Sequence, residues 1–360
     1  MKNHNIPAIM YALLAAVLFG ASAPLAKLLL GEIDPIPLAG FLYIGSGIGS
    51  WLLFAVQKAG KHSRTREASL SKKDFPWLLG ALVAGGVAAP ILLMLGLNRT
   101  PASTASLLLN FESVATTILA VLLFKEAVDR RILWAIGLIT AASILLSWSG
   151  GQWGFSLGAL GILGACFLWG LDNNLTRHIS GKNPLTIVGI KGLGAGGFSL
   201  FLALLLGKPL PAWGYIGIAM LVGAICYGLS IQLFILALRS LGAARTGALF
   251  GAAPFIGTLL SFLILRDVPG VLFWAALPIM LAGAWLMLTE KHAHLHEHAH
   301  LEHVHAHAHD DDHHGHEHED GERMIDRQHS HKHVHTVARH SHSHTPDIHH
   351  RHGHKENDTR

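Results

Sequence analysis

Cysteine is nearly missing from this chain: there are two in 360 residues, Cys166 and Cys226, and both fall inside apolar runs. A disulfide scaffold is thereby excluded, and each thiol is left to pack as a small hydrophobe. Charge is also scarce. Asp, Glu, Lys and Arg make up 14% of the residues, where a soluble domain carries about 25%. There is no Gly-rich phosphate loop and no nucleophile paired with a base at a recognisable spacing, so the sequence offers no enzyme chemistry. Before position 292 histidine occurs only at His4, His62 and His178.

What fills the chain is hydrocarbon, at 51% of all residues, and because the run after Lys291 is mostly polar, the body before it is more apolar still. Windows of about 20 residues, the length that crosses about 30 Å of hydrocarbon, predict ten helices. They cover Ile6–Leu30, Ile36–Gln57, Pro76–Leu97, Ala102–Phe124, Ile132–Trp148, Leu157–Ile179, Pro184–Leu206, Ala212–Leu238, Ala243–Leu265 and Val271–Leu288. Pro, Gly or charge bounds most of them. A signal peptide is the rival reading of the N-terminus, from Lys2, a short apolar run and Ala21-Ser22-Ala23. Pro24 after the scissile bond and the apolar run continuing to Leu30 argue against it.

The ten runs fall into two copies. Leu97, Ala102, Leu108, Thr117 and Lys125-Glu126 recur 141 positions on as Leu238, Ala243, Leu249, Thr258 and Arg266-Asp267. Phe19-Gly20 matches Trp169-Gly170, Lys27 matches Arg177, and Pro35 matches Pro184 after one gap. Five helices per copy is an odd number, so the second copy enters the bilayer from the opposite face, giving an inverted repeat. Loop charge agrees. With both termini inside, thirteen Lys and Arg lie in or beside cytoplasmic loops against Lys27, Arg99, Lys208 and Arg266 opposite. The fold expected is therefore an all-α membrane protein of two inverted five-helix repeats, 6–148 and 157–288, followed by a disordered cytoplasmic tail, 291–360.

These paired motifs resemble the drug/metabolite transporter superfamily with two EamA-type domains, over nearly all of Ile6 to Leu288. The resemblance implies a multi-pass protein of the plasma (bacterial inner) membrane that moves a small organic metabolite, often outward, through a cavity between the halves. It names no solute. One departure stands out: the Pro common in the middle of the family's fourth helix is kept as Pro254, but Ser113 replaces it in the first half, directly after Glu112.

Glu112 is the leading candidate for a solute or coupling-ion site. It lies about halfway along Ala102–Phe124, where an ionised side chain costs roughly 2.5–3.5 kcal/mol. Its repeat mate is Ala253, so the fold does not demand a carboxylate there. A carboxyl cheaper to bury neutral than charged suits a proton carrier; the alternative is a structural hydrogen bond to Asn110 or to a neighbouring helix. Asp172, Asn173 and Asn174 fan around the sixth helix, and Lys191 lies at the depth of Asp172, so these two either neutralise each other or face solute. Lys27 and Arg177 read as snorkelling side chains near helix ends. Pro90 and Pro278 are expected to kink their spans.

The tail is a different object. It holds 24 of the 27 histidines, as His-X-His strings that begin with His292, His294, His296, His298, His300, His303, His305, His307, His309, His313, His314, His316 and His318. Between His292 and His354 five basic residues face eleven acidic ones. No cofactor is required by the helical body. Imidazole with carboxylate suits Zn, Ni, Co or Cu held at many interchangeable weak sites. Below about pH 6.5 the tail would turn polycationic and be drawn to anionic lipid. The partners expected are the lipid bilayer, a small-molecule solute and divalent metal ions, with no nucleic acid. The alternatives to an organic-solute carrier are a transition-metal carrier fed by the tail and a membrane-anchored metal buffer or sensor. Helices without a His, Met or Cys relay argue against the metal carrier.

An even number of crossings is directly testable. Lys2→Cys and Asp358→Cys, each in a Cys166→Ala, Cys226→Ala background, are expected to react with an impermeant maleimide from the same membrane face. Labelling from opposite faces contradicts the arrangement.

Overall fold

The computed structural model describes residues 6–59, 69–124, 130–148, 156–179, 182–241, 246 and 249–288, and four strand segments, 293–298, 301–308, 328–335 and 338–343. The first half comprises α1 (Ile6–Leu29), α2 (Pro35–Ala59), α3 (Phe75–Ala81), α4 (Ala89–Asn98), α5 (Ala102–Leu108), α6 (Phe111–Phe124) and α7 (Arg130–Ser147). The second comprises α8 (Leu157–Thr176), α9 (Pro184–Leu205), α10 (Trp213–Val222), α11 (Ser230–Leu241), α12 (Ala253–Leu265) and α13 (Val271–Leu288). Prolines open α2 and α9, where the missing N–H costs nothing. Asn183 caps α9, its Oδ1 accepting from the N–H groups of Leu185 and Thr186 at 2.9 and 3.3 Å.

Among the described residues seven helical stretches are long and apolar enough to cross a membrane, and Ala253–Leu265 and Val271–Met287 are shorter apolar helices. Large apolar side chains are exposed along most of them, such as Leu122, Trp134, Leu157, Phe201 and Trp285. Such a surface suits lipid as the surrounding solvent.

Two helices carry a π turn, at Leu82–Ala88 between α3 and α4 and at Gly223–Leu229 between α10 and α11. The turns lie 141 residues apart, the spacing of the sequence repeat. Pro90 is accommodated by this widened turn and stands in the first turn of α4.

The fourth helix differs from expectation. In place of one run over Ala102–Phe124, the chain breaks at Leu109-Asn110 into α5 and α6. Asn110 Nδ2 donates to the Leu107 carbonyl at 2.9 Å, and backbone turns bind Glu112 N–H to Leu109 and Ser113 N–H to Asn110. Glu112 therefore sits in the first turn of a helix that begins halfway along the apolar Ala102–Leu123 stretch. The second half turns at Gly251-Ala252 before α12, with Pro254 in its first turn. Of the predicted Ala243–Leu265 helix, residues 243–245 and 247–248 lie outside the described ones, as do Lys125 and Glu126.

The halves interlock by exchange. α1 packs on the second π turn, α11 and α12, while α8 packs on the first π turn, α4 and α6; α2 pairs with α9 and α7 with α13. Swapping the halves leaves this pattern unchanged. Gly40 of α2 meets Gly196 and Gly47 meets Gly192, so α2 and α9 run antiparallel at backbone contact. The Phe19-Gly20 and Trp169-Gly170 motifs gain a reason here: a Cβ on Gly20 would lie 2.5 Å from the Ala253 carbonyl oxygen, and one on Gly170 would lie 2.7 Å from the Thr116 nitrogen.

One polar expectation is revised. Lys27 does not snorkel: its Nζ donates to the carbonyls of Leu97, Asn98 and Thr100 at 2.5, 3.2 and 3.0 Å, capping the negative end of α4. In the tail, Ala293–His298 pairs antiparallel with Ala338–Ser343, and Leu301–Ala308 with Gln328–His335. His-X-His alternation has the period of a strand, which suits this pairing of segments. His294, His296, His298, His303, His305 and His307 belong to them; His292, His300, His309, His313, His314, His316 and His318 lie outside the described residues.

Gly170→Ala is expected to destabilise the protein by about 1–3 kcal/mol through overpacking against backbone, measured by thermal unfolding in detergent. Gly217→Ala, with open space at its Cβ position, should be neutral or slightly stabilising.

Candidate functional site

The site forms where α8 of the second half crosses the first π turn and the broken fourth helix of the first. In a π turn the carbonyl of residue i is bonded by the N–H of residue i+5. For Gly85 that residue is Pro90, which has no N–H. The orphaned Gly85 oxygen is instead met by Tyr43 OH from α2 at 2.8 Å and by Trp169 Nε1–H from α8 at 3.1 Å. Three helices from both halves are tied at one carbonyl.

One turn further along α8, the Asp172 carboxylate rests against Gly85 so closely that a Cβ there would collide with Asp172 Oδ2. Lys191 Nζ of α9 donates to both oxygens of Asp172 at 2.6 Å, and Thr176 Oγ donates to Oδ1 at 2.8 Å. Of the two roles left open by their shared depth, Asp172 and Lys191 take the mutual pairing, with both side chains largely withdrawn from solvent at 10% and 16% exposure.

Asn173 and Asn174 divide the work between them. Asn174 is buried, its Nδ2 donating to the carbonyls of Thr116 and Gly170 at 3.0 and 2.8 Å, which stitches α8 to α6. Asn173 is exposed, and its Nδ2 donates to Glu112 Oε1 at 2.9 Å and lies 3.2 Å from Thr116 Oγ. Glu112 is half-buried and lies within electrostatic reach of Asp172, Cys166 and Tyr43. It therefore faces the protein, not lipid. Its position in the first turn of α6 places it at the positive end of that helix dipole.

With Asp172 neutralised by Lys191, Glu112 is the carboxylate left without a cationic partner in this constellation. Asn110 does not join it; its amide serves the Leu107 carbonyl. An aromatic group stands close by: Tyr43 and Tyr227 have ring centroids 6.0 Å apart, Tyr227 meets Phe19 at 6.0 Å, and Phe19 meets Phe250 at 5.3 Å. The repeat mates of Glu112, Asp172 and Asn173 are Ala253, Ser22 and Ala23, so the polar wall belongs to one side alone.

Sequence reasoning passed over Tyr43, Gly85 and Thr116. A proline five residues after a glycine in an apolar run was the available signal, but its meaning depends on the π turn. At the end of α8, His178 stacks on Trp77 with centroids 3.9 Å apart and Nδ1 3.2 Å from the Asn174 carbonyl. Among the described residues no group of three or more His, Cys, Asp or Glu is placed to hold a metal ion.

Lys191→Met should cost about 3–5 kcal/mol by leaving Asp172 charged and buried. Asp172→Asn combined with Lys191→Met should cost less than Lys191→Met alone, as read from thermal unfolding in detergent.

Comparison with known proteins agrees with this architecture. The family model described as the EamA-like transporter family matches twice, over residues 6–148 and 156–289. An uncharacterized transporter of Methanothermobacter thermautotrophicus is 29% identical over 296 residues, covering 76% of this chain and 83% of the relative. A protein of known crystal structure, 16% identical, superposes with a TM-score of 0.56 over 78% of this chain and 94% of its own, a likeness of fold alone. The two matched repeats, on helices whose exposed surface is hydrocarbon, make this a multi-pass membrane protein, and the chain belongs to the EamA-like transporter family.

Proposed function

We propose that this protein carries a small organic solute across the plasma membrane, outward in net direction, by alternating exposure of a site between two inverted five-helix halves. Ten crossings and two cytoplasmic termini go with this reading. Its support is the antiparallel pairing of α2 with α9, the exchange pattern of helix contacts and the excess of Lys and Arg in one set of loops.

One observation carries the reading: Glu112, in the first turn of an interrupted helix of one half, is bonded at 2.9 Å by Asn173 of the other half. Separation of the halves would break that contact and free the carboxylate. Glu112 then takes up either a proton or a donor group of the solute, which couples the two. Asn173 orients it. Asp172 and Lys191 hold α8 and α9 in register behind it, and the aromatic group of Phe19, Tyr43 and Tyr227 supplies an apolar wall for the solute's body. The histidine strings of the tail would bind Zn, Ni, Co or Cu as a secondary buffer; the carrier does not depend on them.

Flux in proteoliposomes, with a panel of amino acids, nucleobases and divalent metals and an imposed proton gradient, tests this. Glu112→Gln is expected to lower organic-solute flux at least about tenfold and to abolish its response to the gradient, while truncation after Lys291 leaves flux intact. Wild-type flux in Glu112→Gln defeats the assignment. Metal flux lost on truncation would establish a metal carrier in its place.

A further inference from the structure

A second polar recess lies at the far end of the α2–α9 pair, where α11 closes over it. Gln57 from the end of α2, Asn183 at the start of α9 and Gln232 on α11 line a cavity of about 50 Å³, with Leu185, Ile235 and Leu236 as its apolar wall. The recess is displaced from the Glu112 site along both helices of the pair: Gln57 lies 14 positions, about 21 Å of helix, beyond Tyr43, and Asn183 lies eight positions, about 12 Å, before Lys191.

Gln232 is the telling group. It is 8% exposed, and its Nε2 is buried without any hydrogen-bond partner. Such an orphan costs about 1–3 kcal/mol, which a protein avoids unless something else supplies the acceptor. Asn183 spends its Oδ1 on the N–H groups of Leu185 and Thr186, so its remaining hydrogen-bonding capacity is chiefly the Nδ2 donor. The recess also lies at the N-terminus of α9, a 22-residue helix whose dipole presents positive potential there. Lys182, next in sequence, is engaged by Asp74 at 3.6 Å. The first N–H groups of α9 are already taken, those of Leu185 and Thr186 by Asn183 Oδ1 and that of Ile187 by the Asn183 carbonyl. Recognition in the recess therefore falls to the carboxamide N–H donors, and the positive end of the helix dipole favours an oxyanion as their acceptor.

The repeat supplies an internal control. The mates of Asn183, Gln232 and Ile235 are Asp34, Ile91 and Met94. There Asp34 is paired with Lys208 at 3.4 Å, and Met94 is buried at 1% exposure. The opposite end thus carries a carboxylate of its own, held by a lysine, where this end carries an amide. Three carboxamides from both halves were not required by the fold.

We propose that Gln57, Asn183 and Gln232 form a binding site for the carboxylate of a small organic molecule, separate from the Glu112 site. The carboxylate accepts from Gln232 Nε2 and Asn183 Nδ2, and the first carbons of its chain lie against Leu185 and Ile235. The cavity exceeds several-fold the roughly 10–15 Å³ that one water needs, so it admits a headgroup. This site does not depend on the transport reading.

Butyrate serves as the probe, with butyramide as its neutral counterpart, in saturation-transfer NMR on the full chain purified in detergent without added lipid. Wild type is expected to bind butyrate saturably and butyramide much more weakly. Gln232→Met should weaken butyrate at least about tenfold and Gln57→Leu about threefold, the scale of a lost hydrogen bond to a charged group. Glu112→Gln should leave binding unchanged. Gln57 is on the surface, so Gln57→Leu decides the matter if Gln232→Met does not fold. Absence of saturable binding to wild type, unchanged binding in both glutamine variants, or loss in Glu112→Gln overturns the proposal. Butyrate binding abolished in phosphatidylcholine nanodiscs assigns the recess to lipid headgroup phosphate and equally overturns it.

Discussion

A carbonyl oxygen without a donor is among the costliest things to place in a bilayer, and Pro90 creates one at Gly85 by lacking an N–H. Its remedy comes from outside the helix. Tyr43 and Trp169 reach the oxygen from α2 and α8, so satisfying one backbone group fixes three helices against each other. The Asp172–Lys191 pair sits on the face of Gly85 that a side chain would have filled. Asn173, one residue along α8, is thereby placed against Glu112.

The same logic runs through the rest of the body. Both copies widen their third helix into a π turn and interrupt the fourth. Such irregular backbone survives at membrane depth only where protein or a wet cavity meets it, and here the partner is the first helix of the other half. The close approaches of α1 and α8 to α12 and α6 need Gly20 and Gly170 for that purpose. Symmetry of the scaffold and asymmetry of the polar groups are therefore compatible: glycines and turns repeat, while Glu112, Asp172, Asn173 and Lys191 have no polar mates of like charge.

Much of this was legible in the residues. Ten apolar runs, the 141-residue offset and the first-half departure at Ser113 were readable because hydrophobic length and repeat spacing are one-dimensional signals. Equal depth on adjacent helices made an Asp172–Lys191 contact possible, since helical rise is constant, but it left contact with solute as the alternative. The break at Leu109-Asn110 was not readable, because Asn110 lies inside an apolar run with no Pro or Gly beside it and its amide closes the turn only once the helix has parted. Lys27 was misjudged for a similar reason: its acceptors, the carbonyls at the end of α4, are about 70 residues away.

Composition and repetition alone determined that the chain enters lipid, that it does so as two related halves, and that Glu112 is an unforced carboxylate, because burial in hydrocarbon constrains length and polarity residue by residue. Tertiary structure decided which carbonyl goes unpaired, which side chain answers it, and that Asn173 rather than Asn110 holds Glu112. Those outcomes depend on helices brought together from opposite halves, and a hydrogen bond reaches only about 3 Å, far below what spacing along a chain can specify.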